Sequence, residues 1–385
     1  MPIENFIKFV FWLAFFFVGY AYILYPFLLI VIDNLAPKKD FQQSDEALSV
    51  AILVAAHNEE KVIANKIKNC LALDYPMEFL QIVIASDGSD DKTNEIVRKH
   101  QSKNVILMDY PQRQGKINVL NQTIPNIQSE IVVFSDANTL FHHDAVKNLV
   151  RHFADKRIGC VCGGLHFINA DGSHTADLEG FYWRYETFMK NIEGRRGSLL
   201  GANGGIYAIR KTLYEPCLED TIIDDFMIPM KILEKGFKVI YDPSASAKEE
   251  SAHKIVQEKQ RRIRIGAGDF QALTRLSHML NPVLGFSALA FWSHKVLRWL
   301  APFFLITIFL TNILLLKDPI YIFIFLGQCL FYLSAFFGQL LSWAGIKVKF
   351  FNLCYYFVSM NLALLLGFVR FISGEQAATW NRTER

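Results

Sequence analysis

The chain has 385 residues, room for roughly two or three domains by the usual length relation, and a formal net charge of only +3. With no long basic run, nucleic acid is excluded as the expected partner. A hydrophobic fraction of 52% and 33 phenylalanines exceed what an ordinary soluble enzyme carries, so a membrane-embedded part is expected.

Residues 9 to 32 contain no charged side chain. As a helix rising about 1.5 Å per residue they would reach roughly 36 Å, enough to cross the hydrocarbon core. The run ends at Asp33, followed by Lys38 and Lys39, and is longer than the apolar core of a signal peptide. Residues 6–32 are therefore expected to form a transmembrane helix.

From residue 48 strands and helices alternate with short connections. Strands are expected over 48–56, 80–85 and 105–108, and helices over 59–71, 91–100 and 115–123. The run Ile131-Val132-Val133-Phe134 reads as a fully buried strand of a parallel sheet that ends abruptly in Ser135-Asp136-Ala137-Asn138. The alternation predicts an α/β fold with a doubly wound sheet, in a domain spanning 48–250.

In such sheets ligands bind beyond the carboxyl ends of the strands, and polar residues collect there. Asn58 and Glu59 follow the first strand, Asp87 the second, and Asp136 and Asn138 the buried one. The last two, oxygen donors two residues apart, suit a hard divalent cation held against a pyrophosphate. No glycine fingerprint of a dinucleotide or P-loop site follows either early strand, which excludes those ligands. Arg113-Gln114-Gly115-Lys116 offers close backbone approach and basic charge to a phosphate, although such a motif alone is more often a solvated loop.

His142 and His143 precede a helix expected over about 144–154; either could reach a metal, while the plainer reading sets one of them at the surface near the helix start. A strand over 158–168 carries Cys160 and Cys162 on one face, and with no CxxC pair the six cysteines read as buried and reduced. The aromatic-rich helix Phe181–Met189, with Trp183, is either packing or a stacking platform for an acceptor. Gly201-Ala202-Asn203-Gly204-Gly205 implies a close backbone approach before the next strand.

Asp224 and Asp225 open a helix running to about Lys235. Helix dipoles favour acids there, yet adjacent carboxylates also suit a general base. Residues 253–290 read as amphipathic interface helices, in which Arg261 and Arg264 share a face and could clamp a diphosphate. A C-terminal membrane region over 296–372 holds uncharged runs 299–316, 319–346 and 350–369, about three helices. Lys38, Lys39, Lys295 and Arg298 flank the polar block, which places it in the cytosol. Three full C-terminal spans then put Arg370, Arg382 and Arg385 outside, against the same rule, unless the last segment is re-entrant or interfacial.

The order of the Asn58-Glu59 loop, Asp87, Gln114-Gly115-Lys116, Ser135-Asp136-Ala137-Asn138, Gly201-Ala202-Asn203-Gly204-Gly205, Asp224-Asp225 and Arg261-x-x-Arg264 resembles the membrane-embedded family 2 glycosyltransferases. That group includes cellulose, chitin, hyaluronan and poly-N-acetylglucosamine synthases. The resemblance covers residues 55–268 and implies a cytosolic GT-A catalytic domain, a UDP-sugar donor, Mg2+ or Mn2+, and inversion at the anomeric carbon.

It further implies that Glu59, Asp87, Lys116, Arg261 and Arg264 serve the nucleotide, Asp87 at the uridine and the arginines at the diphosphate. Asp136 and Asn138 would serve the metal, Asp225 with Asp224 the base, and Asn203, Gly204 and Trp183 the acceptor. Two positions depart from the family: Asn138 replaces the second acid of Asp-x-Asp, and Ile265 stands where processive synthases carry Trp.

The expected function is extension of a glycan at the inner (plasma) membrane, for exopolysaccharide or capsule, with a partner subunit or oligomer for export. Transfer of a single sugar to a lipid carrier is its enzymatic rival. A silent scaffold of an export complex is disfavoured because Asp224 and Asp225 are both kept.

Overall fold

The computed structural model describes residues 3–35, 40–168, 178–250, 255–346 and 348–375, and these form two compact units. One holds the described residues of Pro37–Thr175 and Lys190–Gln257. The other holds those of Met1–Ala36, Ala176–Met189 and Glu258–Gln376.

The first unit is built on an eight-stranded sheet. Its strands are β1 (Val50–Ala56), β2 (Leu80–Asp87), β3 (Val105–Tyr110), β4 (Ile131–Ser135), β5 (Leu140–Phe141), β6 (Ile158–Ile168), β7 (Tyr207–Arg210) and β8 (Lys238–Glu250). Their spatial order is β3-β2-β1-β4-β7-β6-β8-β5. The first four run parallel, as the alternation predicts. The rest depart from it: β7 is antiparallel to both β4 and β6, while β8 is parallel to β6 and antiparallel to β5. Alternation reports only the helical crossovers of the first half. The later pairings join segments far apart in sequence and leave no periodic trace.

Burial on both faces explains why β1 and β4 carry near-continuous apolar runs rather than an alternation. Val50, Ile52, Val54, Ile131, Val132 and Val133 are all fully buried. Helix Ile63–Leu71 covers one face with Ile63, Ile67 and Cys70, and Lys66 shares that buried stripe. This helix starts later than expected, because Glu59 and Glu60 donate their backbone N–H groups to Thr93 Oγ1 (2.8 Å) and Asp91 Oδ2 (3.1 Å).

Parallel register aligns the strand ends: Ala56 lies beside Ser86, Asp87 beside Tyr110, and Ser135 beside Val54. At the far edge the pairing of β6 with β8 jumps from Gly163/Asp242 to Gly164/Ser246, a bulge. A Cβ at Gly163 would collide with the Ala245 carbonyl, so this crossing requires glycine.

The start of that bulge is pinned by Asp242. Its carboxylate accepts from His152 Nε2 (2.7 Å) and Arg151 (2.8 Å), and from the Ser244 backbone N–H (2.9 Å) and hydroxyl (2.6 Å). Burial alone would raise this carboxyl, but these partners hold it well below the usual carboxylate range.

In the second unit, among the described residues, three helices are long and apolar enough to cross a membrane: Ile3–Leu35, Pro319–Trp343 and Lys349–Ser373. A fourth candidate is a broken pair, Phe286–Trp299 and Ala301–Leu314, bent by 57°. The span expected over 299–316 is thus the second arm of that pair, because Pro302 belongs at a helix start and cannot continue the preceding helix. Residues 350–369 lie in one uninterrupted helix, whereas Arg382 and Arg385 fall outside the described residues.

Glycines permit two close helix crossings. A Cβ at Gly338 would strike the Phe351 carbonyl, and one at Gly367 would lie 2.8 Å from the Gly266 Cα. On helix Leu178–Arg195, buried Glu186 gathers His294 Nε2 (2.9 Å), Lys295 Nζ (3.0 Å) and Arg298 (2.9 Å). Two cations that the charge rule counts toward orientation are therefore also structural ion-pair partners.

Replacing Asp242 with Asn removes a depressed carboxylate from the bulge. We expect a loss of about 2–3 kcal/mol in chemical denaturation at pH 7. A carboxyl depressed in the folded state stabilises fully above its unfolded value of about 4, so the gap from wild type should narrow as pH falls below that value.

Candidate active site

The polar ends of β1, β2 and β4 lie together in the first unit. Asn58 adopts φ 56°, a left-handed conformation that asparagine tolerates. Its amide donates to Asp90 Oδ1 (2.6 Å) and its Oδ1 accepts from the Asp90 N–H (2.9 Å), locking the two strand-end loops together. Glu59 sits in this locked loop.

Asp87 is fully buried, and its two oxygens accept the backbone N–H groups of Gln114 (2.6 Å) and Gly115 (2.9 Å). The loop before helix Lys116–Thr123 is thus held by a carboxylate. Gly88 permits the contact, since a Cβ there would lie 2.5 Å from the Arg113 nitrogen. The uridine contact expected of Asp87 would have only the remaining lone pairs of those oxygens to use.

That loop delivers Lys116 to the centre. Its Nζ lies 3.1 Å from Asp136 Oδ1 and 3.3 Å from Asp224 Oδ2. One ammonium therefore bridges the end of β4 and the first turn of helix Asp224–Glu234. Burial opposes its charge, but Asp136, Asp224 and Asp225 outweigh burial and hold it well above the ordinary lysine range. The basic group expected to meet phosphate already neutralises the carboxylates around it.

Asp225 lies against the glycine-rich loop. The Ala202 N–H donates to the Asp225 carbonyl (2.8 Å), and a Cβ at Gly204 would come within 3.0 Å of Asp225 Oδ2. A Cβ at Gly205 would lie 2.7 Å from Thr139 Oγ1, so the same loop abuts the residue after Asn138. Asn203, expected on the acceptor side, is buried: its Nδ2 donates to the Gly163 carbonyl (2.6 Å), and its Oδ1 accepts from Lys190 (2.6 Å). Its polar atoms shape the wall from inside.

Three residues of this region escaped the sequence reading. Lys66, fully buried, donates to Ser135 Oγ (2.7 Å) and the Thr139 carbonyl (2.6 Å), bracketing Asp136-Ala137-Asn138, and its ammonium lies 3.8 Å from the Phe141 ring centre. Burial pushes its pKa down. A lysine on the apolar stripe of helix Ile63–Leu71 was the available signal. Lys190 and Glu249 gave none. Buried Glu249 accepts from Asn138 Nδ2 at 2.9 Å.

Trp183, Arg261 and Arg264 belong to the other unit, on helices Leu178–Arg195 and Ile255–Arg275. His142 is exposed and pairs with Asp144 (2.5 Å), as a surface residue. Cys160 and Cys162 are buried free thiols.

Residues 51–216 match the family model described as Glycosyl transferase family 2. A poly-beta-1,6-N-acetyl-D-glucosamine synthase of Staphylococcus aureus is 29% identical over 217 residues, 54% of this chain and 51% of that one. A beta-monoglucosyldiacylglycerol synthase of Nostoc sp. is 27% identical over 190 residues, 48% of this chain and 41% of that one. The chain thus spans about half the length of the curated relatives it matches. A mannosyltransferase of Pyrobaculum calidifontis, solved with GDP-Man and Mn2+, superposes with a TM-score of 0.73 at 19% identity, covering 95% of this chain and 99% of that one. The fold is GT-A-like, with long apolar helices.

Lys116→Met leaves Asp136 and Asp224 facing each other without their shared cation. We expect the thermal midpoint in EDTA to fall by about 2–4 °C. Added Mn2+ should raise that midpoint by more than it raises the wild type, because the ion takes over the neutralisation.

Proposed function

We propose that this chain, whose residues 51–216 match the family 2 glycosyltransferase model and which has candidate membrane helices, is an inverting enzyme extending a glycan from a UDP-sugar at the cytosolic membrane face. The observation that carries the reading is the placement of Asp225. It stands in the first turn of its helix against Gly204, beside the charge cluster of Lys116, Asp136 and Asp224.

In the proposed step the acceptor hydroxyl oxygen bonds to the anomeric carbon while the bond from that carbon to the diphosphate oxygen breaks. The nucleoside diphosphate leaves with the electron pair, and the hydroxyl proton passes to Asp225. The leaving group needs charge rather than a proton, so a single carboxylate suffices. Asp136 and the amide oxygen of Asn138 are hard oxygen donors and fit Mg2+ or Mn2+. When bound, that ion would neutralise the departing diphosphate. In this proposal Glu59, Asp87 and Lys116 serve the nucleotide side and Gly204 the acceptor side, while the diphosphate role of Arg261 and Arg264 and the acceptor role of Trp183 rest on the family resemblance.

The basic residues after the first candidate span and before the arm Ala301–Leu314 favour a cytosolic domain at the inner (plasma) membrane. At most four candidate spans are found among the described residues, so polymer export would call on a partner subunit or an oligomer. Transfer of one sugar to a lipid carrier is the second reading. It is favoured by Ile265 at the position where processive synthases carry Trp, and by the Nostoc relative.

A panel of UDP-sugars and GDP-sugars with Mn2+ or EDTA, followed by sizing of the product, tests these readings. We expect release of UDP from one UDP-sugar, lost in EDTA, with a ladder for glycan extension and one added residue for the lipid reading. Asp225→Asn should lower kcat by at least about a hundredfold, and an undiminished rate would remove the assignment of the base. Gly204→Ala, which crowds Asp225, should lower kcat about tenfold or more while leaving nucleotide binding in place.

A further inference from the structure

The metal-binding signature is short of one acid, since Asn138 stands where the resembling family has the second Asp. The fold brings another acid to the same place. Across the antiparallel pairing of β5 with β8, Leu140 faces Lys248 and Phe141 faces Ala247, so the next position outward sets Thr139 against Glu249. Glu249 Oε1 accepts from Asn138 Nδ2 at 2.9 Å, and its Oε2 lies 3.5 Å from Thr139 Oγ1.

We propose that Glu249 supplies the second carboxylate of the divalent-cation site. This rests on the metal reading given above and adds a residue to it. Asp136 and Glu249 together restore two negative charges at the loop, the number an Asp-x-Asp motif carries. The pairing also accounts for the asparagine. An aspartate at 138 would set two carboxylates at hydrogen-bonding distance, whereas the amide donates to Glu249 and keeps its own Oδ1 as a neutral oxygen ligand.

Glu249 is buried, with a relative exposure of 9%, among the residues of a wall rather than on an open surface. A divalent cation bound beside Asn138 would place positive charge next to this carboxylate, where burial makes such a charge most effective.

The test is Mn2+ binding to the full-length detergent-purified protein with UDP present, read from the electron paramagnetic resonance signal of free Mn2+. Wild type is compared with Glu249→Gln, Asp136→Asn and the double variant Asn138→Asp/Glu249→Gln. We expect E249Q to weaken Mn2+ binding about tenfold. Moving the carboxylate to position 138 in the double variant should return affinity to within about threefold of wild type, a rescue that a merely structural glutamate would not give.

E249Q binding Mn2+ as tightly as wild type, or a double variant with wild-type thermal stability that recovers no affinity, overturns the proposal. If D136N loses binding while E249Q keeps it, this inference fails alone. If D136N also binds as wild type, the metal reading of the site fails with it.

Discussion

The arrangement of the first unit depends on one ammonium group. Lys116 Nζ sits between Asp136 and Asp224, which come from a strand end and a helix start 88 residues apart in sequence. Without a cation the two carboxylates would push these elements apart. With it, the first turn of helix Asp224–Glu234 is held where Asp225 meets the glycine loop. Asp87 in turn holds Lys116 in place, by accepting the two N–H groups that precede its helix. Binding and proposed catalysis are thus linked through a chain of charge and backbone contacts.

Close approach is the second constraint. Gly88, Gly204 and Gly205 each stand where a Cβ would meet a backbone nitrogen, the Asp225 carboxylate or the Thr139 hydroxyl. The loops of this site are therefore packed against one another rather than splayed. The bulge at Gly163 and Gly164 acts at longer range: by shifting β8 against β6 it lets the end of β8 pair with β5, which brings Glu249 beside Asn138.

Residues on contiguous, periodic segments were the legible ones. The buried run of β4 announced a parallel strand aimed at a site, and Asp136 follows it directly. Asp224 and Asp225 lie in the first helical turn where the dipole favours them. The residues that escaped act across long sequence separations. Glu249 meets Asn138 over 111 positions, Lys66 meets Ser135 over 69, and neither spacing has a local signature. Asn203 was legible as part of a motif, whereas the burial of its amide was not, because that follows from the packing of β6 and Lys190. The antiparallel insertion of β7 was hidden for the same reason.

Two of the charge clusters among the described residues use cations in opposite ways. Glu186 is met by three basic side chains, all belonging to the described chain, and together they outweigh the burial that would otherwise raise its carboxyl. Such a cluster is satisfied from within, so its charges serve to fix the helices that carry them. At the strand ends the balance runs the other way: Asp136, Asp224, Asp225 and Glu249 gather around the ammonium of Lys116 and the amide of Asn138. In the proposed reaction an acid-rich cluster of this kind, with Lys116 at its centre, would receive a further cation that arrives and leaves with the diphosphate. The difference between a structural ion cluster and a reactive one therefore lies in where the last positive charge comes from.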